Sequence, residues 1–252
     1  MKTRLLENMT WPEVQEAIEA GNKTVIIAAA SVEQHGPHLA EITDTAVGLI
    51  SALDLAERLG NALVAPVIRP GLSEHHMALP GSLTLRPETF AMLVEDYVDC
   101  YVRHGFEKVV LFPAHGGNFA AIEKLTVQLS ERFDGIRIVS GMPFDGMTNL
   151  FLEVEAAEGM PQGVCGGHAC DFETSVVLRY YPEHVRMDKA VPGTVGHLSD
   201  EMAARLFAEG IVAASPIGVL GDPSSADAQR GERYFKMMQD KLYAAVAEKL
   251  QR

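Results

Sequence analysis

The sequence predicts an α/β fold: a mainly parallel central sheet with helices packed on both faces. Three observations carry this. Short, largely apolar runs (24–30, 62–68, 108–113 and 136–140) alternate with longer segments of helical periodicity. The runs lack the in–out alternation of a sheet with one wet face, as expected of strands covered on both sides. Gly and Pro punctuate the joins between segments.

Each element follows in order. "MTWPEVQEAIEAG" (9–21) reads as a helix with Thr10 as its N-cap, Pro12 in the first turn and Gly21 at the end. "TVIIAAA" (24–30) is a buried strand. Residues 43–60 form a helix stopped by Gly60, and "ALVAPVI" (62–68) is the second strand. Residues 86–105 form a helix with Pro87 near its start, and "KVVLFP" (108–113) is the third strand. Residues 117–133 form a helix that Asn118 could cap, and "IRIVS" (136–140) is the fourth strand. Helices are expected at 144–158, 168–181 and 226–251. With no internal repeat and no linker, residues 1–252 are expected to form a single domain.

Bulk composition excludes several functions. The net charge of −13 opposes nucleic-acid binding, which needs clustered Lys and Arg, and opposes docking on anionic membranes. The three cysteines, Cys100, Cys165 and Cys170, are too few and too odd in number for a disulfide framework. There is no signal-peptide pattern and no apolar run long enough to span a membrane. A cytoplasmic enzyme with a small-molecule substrate, and with no nucleic-acid or membrane partner, is the expectation.

Sites in parallel sheets form beyond the carboxyl ends of the strands, and polar residues gather there. "SVEQHGPHLAEITD" (31–44) follows the first strand and holds two His, two Glu and one Asp. In an extended stretch Glu33 and His35 point to the same side, and Asp44, in the first turn of the next helix, can return to them. Carboxylate and imidazole are ligands of zinc, manganese and iron, and a carboxylate can bridge two ions. Asp44 alone would read as a helix cap; the trio reads as metal ligands. His115 ends the third strand, and Gly116 and Gly117 after it permit a ligand to approach closely. His168, Asp171 and Glu173 stand near a helix start, where acidic residues are also common for dipolar reasons alone. His75 and His76, in a Gly- and Pro-marked loop, read equally as substrate contacts or as surface residues. Phosphate-loop, dinucleotide and nucleophile-elbow motifs are absent. Cys170 beside His168 does not make a nucleophile, because adjacent positions do not place a base on the thiol.

Taken in order, "SVEQHGPHL…TD", "HGGN", "GGHACDFETS" and "GVLGDPSSADAQRGE" resemble the creatininase (creatinine amidohydrolase) family, from about Val25 to Tyr234. The resemblance implies a three-layer α/β/α sandwich, a binuclear centre of two divalent ions (zinc with zinc, manganese or iron) and a homohexamer. It implies hydrolysis of a C–N bond in a cyclic amide, amide or formamide, by hydroxide formed at the metals. By position, Glu33 and His115 match ligands of one ion, His35 a ligand of the other, and Asp44 the bridge. Glu173 matches a further ligand or a base, and His168 a histidine beside the substrate, suited to protonate the leaving nitrogen. Creatininase proper carries a glutamate ligand where this chain has Gly117, and tryptophans over its substrate, whereas Trp11 is the sole tryptophan here. "AEI" (40–42) replaces the usual "PLG", and "HACD" replaces "HAGE". These departures point to a member other than creatininase proper, and the missing tryptophans to a polar, hydroxylated substrate. Two other readings stand beside this one: hydrolysis of a carbon–carbon bond in a cyclic β-dicarbonyl inositol derivative, and a non-catalytic metal-binding scaffold.

Overall fold

The computed structural model describes residues 3–197 and 200–251. Four parallel strands, β1 (Thr24–Ala29), β2 (Ala62–Val64), β3 (Lys108–Pro113) and β4 (Arg137–Ser140), form a sheet in the order β2-β1-β3-β4. The expected α/β class is therefore the observed one. All six residues of β1 are buried, as its apolar run requires. The run at 62–68 yields a shorter strand than expected. Ala65 N still donates to Ile26 O, but the next donor to β1 is Ile68 N, to Ala28 O, so the ladder slips by one residue around Pro66 and rejoins β1 at the bridge between Ile68 and Ala29.

The described helices are α1 (Trp11–Glu19), α2 (Thr43–Leu59), α3 (Pro87–Arg103), α4 (Phe119–Arg132), α5 (Phe144–Glu158), α6 (Asp171–Tyr180), α7 (Asp200–Glu209), α8 (Ile211–Ala214) and α9 (Ala228–Gln251). The start of α1 matches the sequence: the Glu13 carboxylate accepts both the amide and the hydroxyl of Thr10, each at 2.7 Å. Gly60 closes α2 with φ +78°. α7 and α8 were not anticipated: α8 has only four residues, and α7, although amphipathic, is a short helix within an otherwise irregular stretch.

Alternate residues of β1 feed opposite cores. Val25, Ile27 and Ala29 pack with Phe90 and Val94 of α3 and Ile122 and Leu125 of α4. Ile26 and Ala28 pack with Ala52 and Leu55 of α2 and Leu242 and Val246 of α9. This is the strand period of two expressed as two helical layers. A third core joins α5, α6 and α9 through Leu150, Val154, Phe172, Val176, Tyr234 and Met238.

Two contacts set the platform for the site. Asn118 does not cap α4 with its side chain. Its amide nitrogen donates to the carbonyls of Ala29 and Ala30, each at 3.0 Å, and its oxygen accepts from Leu72 N at 3.0 Å. It thereby ties the end of β1 to the loop after β2. The "ADAQRGE" segment clamps α9 onto α6: Arg230 and Tyr234 donate to the Asp171 carboxylate at 2.9 and 3.0 Å. At Gly231 the two helix backbones come so close that a Cβ would lie 1.9 Å from Ser175 O.

Candidate metal centre

β1 and β3 end side by side, and their extensions deliver Glu33 and His115 to the same edge. α2 returns Asp44, α6 presents Glu173, and the loop before α6 supplies His168. His168 precedes α6 rather than starting it, since the helix begins at Asp171. Glu33, His35, Asp44, His115 and His168 are all buried.

The geometry has two lobes joined by one carboxylate. Asp44 Oδ1 lies 3.2 Å from His35 Nε2, while Asp44 Oδ2 lies 3.1 Å from His115 Nδ1. Glu33 Oε1 is 3.2 Å from His115 Nδ1, completing one lobe. Glu173 Oε1 is 4.0 Å from His35 Nε2, completing the other. Asp44 is thus not a helix cap; both of its oxygens face imidazoles. Glu33, His35 and Asp44 form one of three groups whose potential ligand atoms fall within 4.8 Å of one another, as do His35, His168 and Glu173, and Glu33, His76 and His168.

The imidazoles are held from behind. His35 Nδ1 donates to the Glu33 carbonyl at 3.1 Å, and His115 Nε2 donates to the Leu72 carbonyl at 3.2 Å. His168 Nε2 has the Gln34 carbonyl at 2.8 Å and the Gln34 side-chain nitrogen at 2.9 Å. The carbonyl can only accept, so Nε2 carries the hydrogen and Nδ1 faces the carboxylates. Each ring thus has one nitrogen engaged by backbone and the other turned to the cluster, the arrangement that orients histidine ligands. Glu33 Oε2, His35 Nε2 and Asp44 Oδ2 are buried without a well-formed hydrogen bond. Buried polar atoms left this way in a native fold call for a partner, and carboxylate oxygens converging with imidazole nitrogens suit a divalent cation.

Electrostatics agree. Burial pulls His35 down, but Asp44, Glu173 and Glu33 outweigh it and hold its pKa at about 10. His115 is likewise raised well above its ordinary value, with Glu33 and Asp44 overcoming burial. Glu33 is lowered, as His115, His76 and His35 outweigh its burial. Protons on two imidazoles hold the positive charge that this acidic cluster demands. Glu173 is pushed up to about 7 by burial, against the pull of His35. His168 is lowered by burial and by the neighbouring His35 and His76, so it rests uncharged at neutral pH.

The remaining expected residues divide. His75 and His76 are buried, not on the surface. His76 Nε2 is 3.3 Å from Glu33 Oε1, and His75 stacks on His115 with ring centroids 5.7 Å apart. Gly116 lines the cavity above the cluster; Gly117 does not. A Cβ at Gly117 would meet Leu72 O at 2.2 Å and His115 Nε2 at 2.7 Å, so this backbone excludes any side chain there. Asp171 serves the α6–α9 clamp and not the cluster. Cys170 is fully buried against the α5–α6–α9 core.

Two residues escaped the sequence reading. Gln34 lies between Glu33 and His35, and its amide nitrogen donates to His76 Nδ1 at 2.7 Å. Its position between two ligand-type residues was the only available signal. His38 Nε2 meets Thr174 Oγ1 at 2.9 Å, fastening the ligand loop to the helix that bears Glu173.

A cavity of about 440 Å³ opens over the cluster, with Glu33, Asp44, His115, His168 and Glu173 in its wall. A parallel α/β sheet carrying a buried carboxylate–imidazole cluster at its carboxyl edge defines a class of α/β proteins with a candidate metal site beneath a ligand pocket. The family model described as "Creatininase: Creatinine amidohydrolase" matches residues 7–246. A mycofactocin precursor peptide peptidase of Mycolicibacterium smegmatis is 32% identical over 219 residues, 85% of this chain and 80% of that one. A creatinine amidohydrolase of Pseudomonas putida is 27% identical over 200 residues, 75% of this chain and 76% of that one. A solved structure, "Creatininase Mn", superposes with a TM-score of 0.80 at 23% identity, covering 98% of each chain. The chain belongs to the creatininase family of hydrolases.

Proposed function

We propose that this protein is a metal-dependent amidohydrolase cleaving a C–N bond in a small amide. The observation that carries the proposal is the Asp44 carboxylate, with one oxygen 3.2 Å from His35 and the other 3.1 Å from His115. Glu33, His115 and Asp44 would hold one divalent ion, and His35, Glu173 and Asp44 the other. Zinc, manganese or iron fits such oxygen and nitrogen donors. Bound there, the pair would polarise the scissile carbonyl and lower the pKa of a water from roughly 16 towards about 7. Glu173 fills the role that Gly117 leaves open, because it brings a carboxylate to His35 from another element.

His168 starts uncharged, with Nδ1 open to the cluster. It would therefore take at Nδ1 the proton released by the attacking water and pass that proton to the leaving nitrogen, which refines the simple general-acid role expected from sequence. Gln34 holds His168 from behind and fixes the hydrogen of His76 on Nε2, facing Glu33. His75 and His76 wall the cavity and exclude water from the flank of the cluster.

The test is metal content per chain by elemental mass spectrometry, for the purified protein and for Asp44→Ala, followed by an amide panel scored for amine release. Two ions per chain lost together in the variant, with amine release only from the loaded protein, are expected. Ring-opened keto acid without amine would replace this reading with carbon–carbon hydrolysis. No metal after reconstitution would leave the non-catalytic scaffold.

A further inference from the structure

The cavity has two chemically distinct ends. One holds the cluster. The other is built from α5, which contributes Phe144, Met147, Phe151 and Leu152 at helical spacing, and from α7, which contributes Leu206 and Phe207. Behind them Phe119 meets Phe144 edge-on with ring centroids 5.3 Å apart, and Phe151 meets Phe172 in the same way at 5.2 Å. Phe144 and Leu152 are each 44% exposed and Phe207 56%, so apolar surface faces this space without a protein partner. Among the described residues of the wall there is no Lys or Arg; His75, His76, His115 and His168 belong to the cluster end, His197 is engaged by Glu155 at 3.0 Å, and the few hydroxyls are those of Thr43, Ser51 and Thr148.

We infer that this end of the cavity is a subsite for an uncharged, bulky apolar group, such as an aromatic ring, carried by the amide whose carbonyl reaches the cluster. The inference rests on the hydrolase reading above and narrows its substrate class. At this end a phosphate or carboxylate would find no Lys or Arg to pair with and would meet the Asp145 carboxylate. A polyhydroxylated ring would forfeit hydrogen bonds to water against phenyl and thioether groups that cannot return them. This departs from the polar, hydroxylated substrate expected from the lack of tryptophan, because phenylalanines scattered over several elements supply an apolar wall in its place. The volume, about 440 Å³, falls in the range of pockets that enclose a whole small ligand. The apolar wall is continuous with the cluster, which is why a substrate group, rather than a separate partner, is its occupant.

Titration calorimetry on chelator-treated protein, which does not turn over, tests this with three probes: acetamide, phenylacetamide and gluconamide. Phenylacetamide is expected to bind about tenfold or more tighter than either other probe, with a negative heat-capacity change. Phe144→Ser and Leu152→Ser, both at partly exposed positions, should shrink that preference without unfolding the chain, and circular dichroism verifies the fold. No measurable phenylacetamide binding, gluconamide binding as tight, or an undiminished preference in both variants would each overturn the subsite. Preferred binding of phenylacetamide with no amide cleaved by the metal-loaded protein would instead defeat the hydrolase reading and leave the subsite standing.

Discussion

Gln34 sits between two residues that face the cluster and belongs to neither lobe, yet its amide and carbonyl set the orientation of His76 and His168. Gln34→Ala keeps the backbone carbonyl behind His168 but removes the amide donated to His76, so turnover should fall about fivefold, the worth of one neutral hydrogen bond, with metal content unchanged; amine release reads the first and elemental mass spectrometry the second. Gly117 is constrained as tightly, since its Cβ position lies 2.2 Å from Leu72 O. Gly117→Ala is expected to cost about 1–3 kcal/mol by overpacking, measurable by urea unfolding. His35, held at about 10 against an ordinary 6.5, favours the folded state fully below pH 6.5 and loses that contribution as pH rises towards 10. Chelator-treated protein should therefore melt progressively lower across that window. A flat profile would contradict the charge arrangement. At this scale the sequence showed Glu33, His35, Asp44 and His115 because they follow apolar strands. It hid Gln34, whose contacts span 42 and 134 residues of chain.

Among the elements, β1 and β3 were legible because both are buried on two faces and so read as unbroken apolar runs. β2 was over-read because an apolar run says nothing about the one-residue slip after Ala65 that interrupts its ladder with β1. α8 was missed because four residues are too few to show a period; α7, though amphipathic, is short and was passed over, and it packs on the Glu74–His76 turn, with His75 against Phe207 as one such contact. The apolar subsite was hidden for a related reason, since its residues come from separate helices. The α6–α9 contact gives a prediction at this scale. Gly231→Ala places a methyl where Ser175 O already stands, so α6 must shift and carry Glu173 with it. Loss of metal from one lobe together with a lower melting temperature is expected. Full metal content in a destabilised Gly231→Ala would show that α6 adjusts without moving Glu173.

Across the molecule, the sheet supplies the edge, and α2 and α6, both packed with α9, bring Asp44 and Glu173 to it. No described helix is long and apolar enough to cross a membrane. A cation bound only by the folded state stabilises it by mass action, by about 2.7 kcal/mol at a free concentration one hundred times Kd. Adding zinc or manganese to chelator-treated protein should raise its melting temperature, and Asp44→Ala should abolish the rise. The hexamer implied by the family resemblance is a further expectation, and native mass spectrometry reading only monomer would remove it.

The clamp of α9 on α6 has a consequence in time. Every candidate ligand, from Glu33 to Glu173, is synthesised before the helix that holds α6 in place. A growing chain therefore exposes carboxylates and imidazoles that can capture stray cations while their final geometry is still missing. On the proposed metal-dependent reading, any preference among cations would be acquired late, when the last helix docks.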